Sequence, residues 1–231
     1  MKALLYKEFK LAMHPICYIF VVLFPFMVLI PSYPLGISFI YVFSCYPILF
    51  LGANRGQQSN DLLFSTLLPV RKKDIVLARI CTCIFMQVAS MLIMSALVPL
   101  ALYIQSNITI ETEQAIADAV STVPGLGLDA FVSVLAFAII GYSFADLIFF
   151  PIYYKHGKSI VMSTLLTILG FIVYIALFTL ILPYVFDGYL AFFSGKLWIQ
   201  FILLGGAILI SVAMHFVVYK ISAHRLEQVD F

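Results

Sequence analysis

The sequence predicts an all-α membrane protein of six transmembrane helices with N and C termini cytoplasmic. Three observations predict it. Of 231 residues, 64% are hydrophobic and 10% charged, with a mean hydropathy of +1.11. A soluble domain carries about 25% charged residues, and so few charges cannot cover this much apolar surface in water. Apolar runs of about 15–24 residues recur six times, close to the ~20 residues that cross a bilayer. The basic residues also fall almost entirely on one side of those runs.

Taken in order, residues 1–14 form a basic amphipathic stretch. Lys7, Lys10 and His14 share one helical face and Leu5, Phe9 and Ala12 another, the pattern of an interfacial helix. His14-Pro15 breaks it from span one, residues 16–30. Pro31-Ser32-Tyr33-Pro34 turns the chain into span two, residues 35–51. Pro25 and Pro47 lie inside these spans, which a bilayer-embedded bundle tolerates. A long polar loop, 53–79, leads to span three, 80–103. A second polar loop, 105–127, has Ile116, Ala119 and Val120 at helical spacing. Span four covers 128–150, the short loop 151–158 follows, and span five covers 159–182. After a loop at 183–195, span six covers 196–219 and a polar tail closes the chain. The whole reads as one membrane domain without a separate soluble one. No small-residue cleavage pattern follows the first apolar run, so a retained N-terminus is expected.

Orientation follows from the lysines and arginines. Lys2, Lys7, Lys10, Arg55, Arg71, Lys72, Lys73, Arg79, Lys155, Lys158, Lys220 and Arg225 share one side, leaving Lys196 alone of the 13 on the other. Glu111, Glu113, Asp118 and Asp187 accompany Lys196. Both termini are therefore expected in the cytoplasm, and an odd number of spans would scramble the partition. Tyr33, Tyr103, Tyr184, Tyr189 and Trp198 sit at outer span ends as interface anchors. The 22 Phe and 13 Tyr are read first as lipid-facing and packing bulk, and secondarily as an apolar path. The four cysteines, Cys17, Cys45, Cys81 and Cys83, have no disulfide-framework or zinc spacing.

Enzymatic chemistry is not indicated. Gly157-Lys158-Ser159 has the end of a phosphate-binding loop, but Ile152 stands where its first Gly belongs. Gly127-Leu128-Asp129 is near an intramembrane aspartyl-protease motif. The second carboxylate it would need, Asp146, lies on the same helix about 25 Å away, and two carboxylates must converge to share a proton. Asp129, Asp146 and His215 remain as ionisable groups within spans, where they are costly and call for a functional reading as gate or relay. Asp129 is equally an ordinary carboxylate in a first helical turn. Asp146 sits at the end of its span that the helix dipole disfavours, and Lys155, His215 or a basic residue of the first loop are candidate partners.

The segment Asn60-Asp61-Leu62-Leu63-Phe64-Ser65-Thr66-Leu67-Leu68-Pro69-Val70-Arg71-Lys72-Lys73-Asp74 reads as an amphipathic helix, a break and a basic cluster. Its stripe of Leu63, Phe64, Leu67 and Leu68 either docks in a groove of a soluble partner or lies on lipid.

Leu67-Leu68-Pro69-Val70-Arg71-Lys72-Lys73-Asp74-Ile75-Val76 resembles a signature of small bacterial permease subunits of type-2 ABC exporters. Phe150-Pro151-Ile152-Tyr153-Tyr154-Lys155-His156-Gly157-Lys158 resembles that family's loop between spans four and five. Lys7-Glu8-Phe9-Lys10-Leu11 is similar to its N-terminal interfacial helix. The group includes the membrane subunits of phenol-soluble modulin exporters. His156 departs from the pattern, which has an aromatic there.

The resemblance implies a division of labour in the bacterial cytoplasmic membrane. This chain would form the path for an amphipathic or hydrophobic peptide. A separate ABC ATPase subunit, carrying ATP and Mg, would drive it, so no cofactor is expected on this chain and no nucleic acid among its partners. The ATPase would contact Asn60, Asp61, Leu63, Phe64, Leu67, Arg71, Lys72, Lys73 and Asp74, and in a second loop Tyr154, Lys155, His156, Gly157 and Lys158. A second permease copy or a related permease would complete the path. The alternatives are a membrane immunity or sensor protein acting by binding, and a passive channel or secondary transporter.

Overall fold

The computed structural model describes residues 2–12, 15–29, 70–107, 131–156, 160–177 and 196–228. Among them all regular structure is helical. Helix α1 is Lys2–Lys7 and widens into a π-turn over Glu8–Ala12; α2 is Pro15–Leu23 and tightens into a 3-10 stretch over Phe24–Leu29. Then come α3, Lys72–Asn107, α4, Phe131–His156, α5, Ile160–Ala176, and α6, Leu197–Glu227. Three stretches, Lys72–Ile104, Phe131–Lys155 and Leu197–Glu227, are long and apolar enough to cross a membrane, and Met162–Ala176 is a shorter apolar helix. The protein is membrane-embedded. Expected span two and most of the 105–127 loop lie outside the described residues.

The long helices outrun the apolar runs that announce them. At 36 residues α3 is about 54 Å long, against a hydrocarbon core of ~30 Å. It starts at Lys72, eight residues before the expected span, with Asp74 in its first turn complementing the helix dipole against the two lysines that the dipole disfavours there. Asp74 N–H also donates to Arg71 O at 2.9 Å. At the other end of the chain α6 takes in most of the expected tail, with His224 and Arg225 favourably placed in its last turn. Pro151 does not end α4, which continues to His156. Phe149, Phe150, Tyr153 and Tyr154 are all buried around the proline and hold that turn by packing.

α4 packs most closely on α6, then on α5, and reaches α3 through side chains. It lies antiparallel to α3, as Arg79–Tyr153 and Gln87–Asp146 fix, parallel to α6, as Ser143–Ser211 and Arg225–Pro151 fix, and antiparallel to α5, where Tyr174 meets Phe137 and Gly170 meets Ile148. One core, at the end of the bundle where α4 and α6 finish, joins Val76, Ile80 and Cys83 of α3, Phe149, Phe150, Tyr153 and Tyr154 of α4, and Val218 and Leu226 of α6. A second core, further along, joins Val28, Met91, Met94, Phe131, Val134, Tyr142, Ala145 and Phe171. The contact of α4 with α5 is close. A Cβ on Gly141 would come within 2.9 Å of the Tyr174 ring, whose hydroxyl donates to Phe137 O at 2.8 Å. Small residues let membrane helices approach in this way.

The N-terminal helix does not bury the face its sequence suggests. Leu4, Lys7 and Glu8 are buried, and Leu4 packs on Ile75 and Ala78 of α3. Lys7 therefore does not point to headgroups with Lys10, which is exposed beside Tyr6. The expected face is overridden because Glu8 has an ion partner on α3. His14 lies outside the described residues.

Candidate functional site

Two polar sites stand out in this apolar bundle. The first is inside it. Asp146 on α4 has no exposed surface. Its Oδ2 accepts from Gln87 Nε2 of α3 at 3.1 Å and lies 3.0 Å from His215 Nε2 of α6. The other imidazole nitrogen, Nδ1, faces the Ser211 carbonyl at 2.8 Å, so it carries a hydrogen. One proton then lies between Nε2 and Oδ2, and the pair is neutral in sum whichever atom holds it. One turn away the Ser143 hydroxyl donates to Ile139 O at 2.8 Å, which leaves Ser211 Oγ to donate across α4 and α6 to Ser143 Oγ at 2.6 Å. A polar seam thus runs between these two helices, with Gln87 reaching it from α3. Asp146 Oδ1 is buried with no hydrogen-bond partner among the described residues. A carboxylate so placed in an apolar interior is costly unless paired. The seam can hold α4 and α6 in register or hold a proton.

The second site is where the polar helix ends meet. Arg79 of α3, 5% exposed, sends Nε to Glu8 Oε2 at 3.2 Å and Nη2 to Glu8 Oε1 at 3.4 Å. Its Nη1 donates to the Tyr153 hydroxyl at 2.9 Å. Lys7 Nζ lies 3.7 Å from Glu8 Oε1. Tyr153 stacks on Phe149 with ring centroids 5.8 Å apart and meets Tyr154 edge-on at 5.0 Å. On the far side Arg225 Nη1 donates to Pro151 O at 2.6 Å, and Lys73 pairs with Glu227 at 3.3 Å on the surface. The start of α3 and the ends of α4 and α6 therefore converge, with α1 seated against them.

Of the residues expected at an ATPase contact, Arg71 and Lys73 are exposed and Lys72 and Asp74 half-buried at the start of α3; Lys155 is exposed at the end of α4. The structure brings these two groups to the same end of the bundle. Tyr154 is instead buried in the aromatic core, so its ring supports the surface from behind. His156 is the last residue of α4. Asn60, Asp61, Leu63, Phe64, Leu67, Gly157, Lys158 and Asp129 lie outside the described residues. Of the candidate partners for Asp146, His215 is the one in contact among the described residues.

Sequence reasoning places Tyr153 in the second loop motif but gives neither it nor Glu8, Arg79 and Gln87 the contacts found here. A signal existed for two of them. Glu8 is the one acid among the first fourteen residues, and Arg79 is the last charge before an apolar run. Such isolated opposite charges beside a membrane call for each other. Nothing in the pattern marks the contacts of Gln87 or Tyr153, which depend on how α3 and α4 are rotated.

A sequence model of the family described as "ABC-2 family transporter protein" matches residues 3–226. Compared with curated proteins and with solved structures, the chain matches none.

Proposed function

The chain belongs to the ABC-2 family of transporter proteins, the membrane permease component that works with an ABC ATPase, and on that premise we propose that it is the permease of an exporter for amphipathic or hydrophobic peptides. In this reading six spans cross a bacterial cytoplasmic membrane with both ends inside, and two permeases, alike or related, complete the path. ATP and Mg bind the partner ATPase. Closure of the ATPase pair pushes on Asn60 to Asp74 and on the second loop around Lys155 and Lys158, and the bundle opens outward. The Asp146–His215 seam acts as a latch between α4 and α6 that such a push would have to strain or slide. The peptide class rests on the resemblance of the two loop motifs, and the abundance of aromatics is compatible with it.

The observation that carries the reading is the convergence of helix ends. Arg71 to Asp74 and Lys155 come from segments some eighty residues apart, yet stand at one end of the bundle, tied together through Arg79 and Tyr153. A motor that must press on both loops at once needs that arrangement.

Co-expression with the ABC ATPase subunit tests it. Wild type is expected to retain the ATPase through purification. Arg71→Ala, Lys72→Ala and Lys73→Ala together should lower bound ATPase, or transport per ATP, at least tenfold. If all three can be neutralised with neither changed, the coupling assignment is wrong. In proteoliposomes holding the complex, a fluorescent amphipathic helical peptide should move in an ATP-dependent direction; movement without ATP would favour a passive channel.

A further inference from the structure

We propose that Arg79 is a positioning residue that fastens the N-terminal helix, the start of α3 and the end of α4 into one rigid body, so that the two motor-facing loops cannot move apart during the cycle. The proposal rests on the permease reading and adds to it a part that neither loop supplies.

Lys7, Glu8 and Arg79 are charged residues at most 8% exposed. Long charged side chains near a membrane surface normally reach for water. These do the reverse. Glu8 occupies two arms of the Arg79 guanidinium and Tyr153 takes the third. The guanidinium carbon also lies 5.8 Å from the Tyr153 ring centroid. A planar fork filled on three arms by two different helices fixes direction as well as distance, which a lysine at 79 would not do.

The geometry around it leaves little play. Tyr153 is held between Phe149 and Tyr154. Below Arg79, Leu4 of α1 packs on Ile75, one turn earlier on the same helix, and on Ala78, which precedes Arg79. Glu8 opens the π-turn, directly after the last residue of α1. A buried ion pair is poor as a source of stability but good at selecting one arrangement. Here the arrangement selected joins α1, α3 and α4 where a push would arrive. An apolar contact would let these surfaces slide; a bidentate pair with a third hydrogen bond would not.

Spin labels at Ala3 on α1 and Ile152 near the end of α4, neither of them a residue assigned to the ATPase contact, test it, in the permease–ATPase complex retained on ATPase affinity purification. In the otherwise wild-type complex the label separation should be the same narrow distribution without nucleotide and after trapping with ATP and vanadate. Glu8→Gln, which keeps shape and removes the charge, should leave ATP hydrolysis in place and make the distribution broaden or shift on trapping. Tyr153→Phe, which removes one hydroxyl and keeps the ring, should do the same to a smaller degree and serves where Glu8→Gln yields no complex. A residue needed only for folding would change how much complex forms, not how the separation responds to nucleotide. A separation that changes on trapping in the wild-type background overturns the proposal, as does one unmoved by the variants. Absence of the ATPase from the wild-type preparation overturns the permease reading, and this proposal with it.

Discussion

A buried carboxylate has given up its hydration, and at Asp146 the replacement comes from His215 and Gln87. Two magnitudes compete. Side-chain hydrogen bonds between membrane helices are worth only about 0.6 kcal/mol on average, whereas leaving one member of a buried charge pair alone costs about 3–5 kcal/mol. The second governs here because Asp146 is fully enclosed. We predict that His215→Leu destabilises the protein by roughly that larger amount, while Asp146→Leu with His215→Leu together costs much less. Ser143→Ala, which removes only a hydroxyl, should cost about 0.6 kcal/mol. A double-mutant cycle on thermal unfolding in detergent measures this, and a coupling energy near zero between positions 146 and 215 would sink it. Sequence alone narrowed the partner of Asp146 to a short set that included His215. It did not choose among them, because the choice is made by the rotation of α6 about its axis, which a uniformly apolar helix does not record.

At the level of elements, the glycines make a clean comparison. Gly141 faces the Tyr174 ring, which its hydrogen bond to Phe137 O holds in place, whereas a Cβ on Gly205 or Gly206 would meet nothing within 4 Å among the described residues. Gly141→Ala should therefore cost about 1–3 kcal/mol through overpacking. Gly205→Ala should be neutral or slightly favourable through helix propensity. Equal melting temperatures for the two variants would refute the close α4–α5 contact. Helix ends were less legible than helix existence. Hydropathy marks the part of a helix that lipid covers, so α3 and α6 were foreseen as spans and underestimated as helices. Their polar extensions, Lys72 to Arg79 and Lys220 to Glu227, are what build the converging end.

For the whole molecule, the charge partition and the structure bear on different halves of one question. The partition assigns twelve of the 13 basic residues to a single side. The contacts independently bring Lys7, Lys73, Arg79 and Arg225 together at one end of the bundle. Single cysteines in a background with the native four replaced extend this to the membrane. With an impermeant maleimide on intact cells, position 103 or 198 should label, and position 3, 155 or 228 only after permeabilisation. Labelling of one terminus alone from outside would require an odd span count, and labelling of both would invert the orientation. The all-helical, membrane-embedded character was readable because lipid imposes it through composition. The joint at Arg79 was not, because it depends on three segments meeting from across the chain.

The seam between α4 and α6 also has a consequence for how the protein is made. Asp146 leaves the ribosome 69 residues ahead of His215, a delay of roughly 3–14 s at about 5–20 residues per second. During that interval α4 must settle in lipid with its carboxylate lacking its eventual partner. Gln87, synthesised 59 residues earlier on α3, is already at hand and donates to the same oxygen. The same bond, formed early, would shield one oxygen of the acid until α6 arrives. Gln87→Leu should accordingly reduce the yield inserted into membranes more than it lowers the melting temperature of the protein that does assemble.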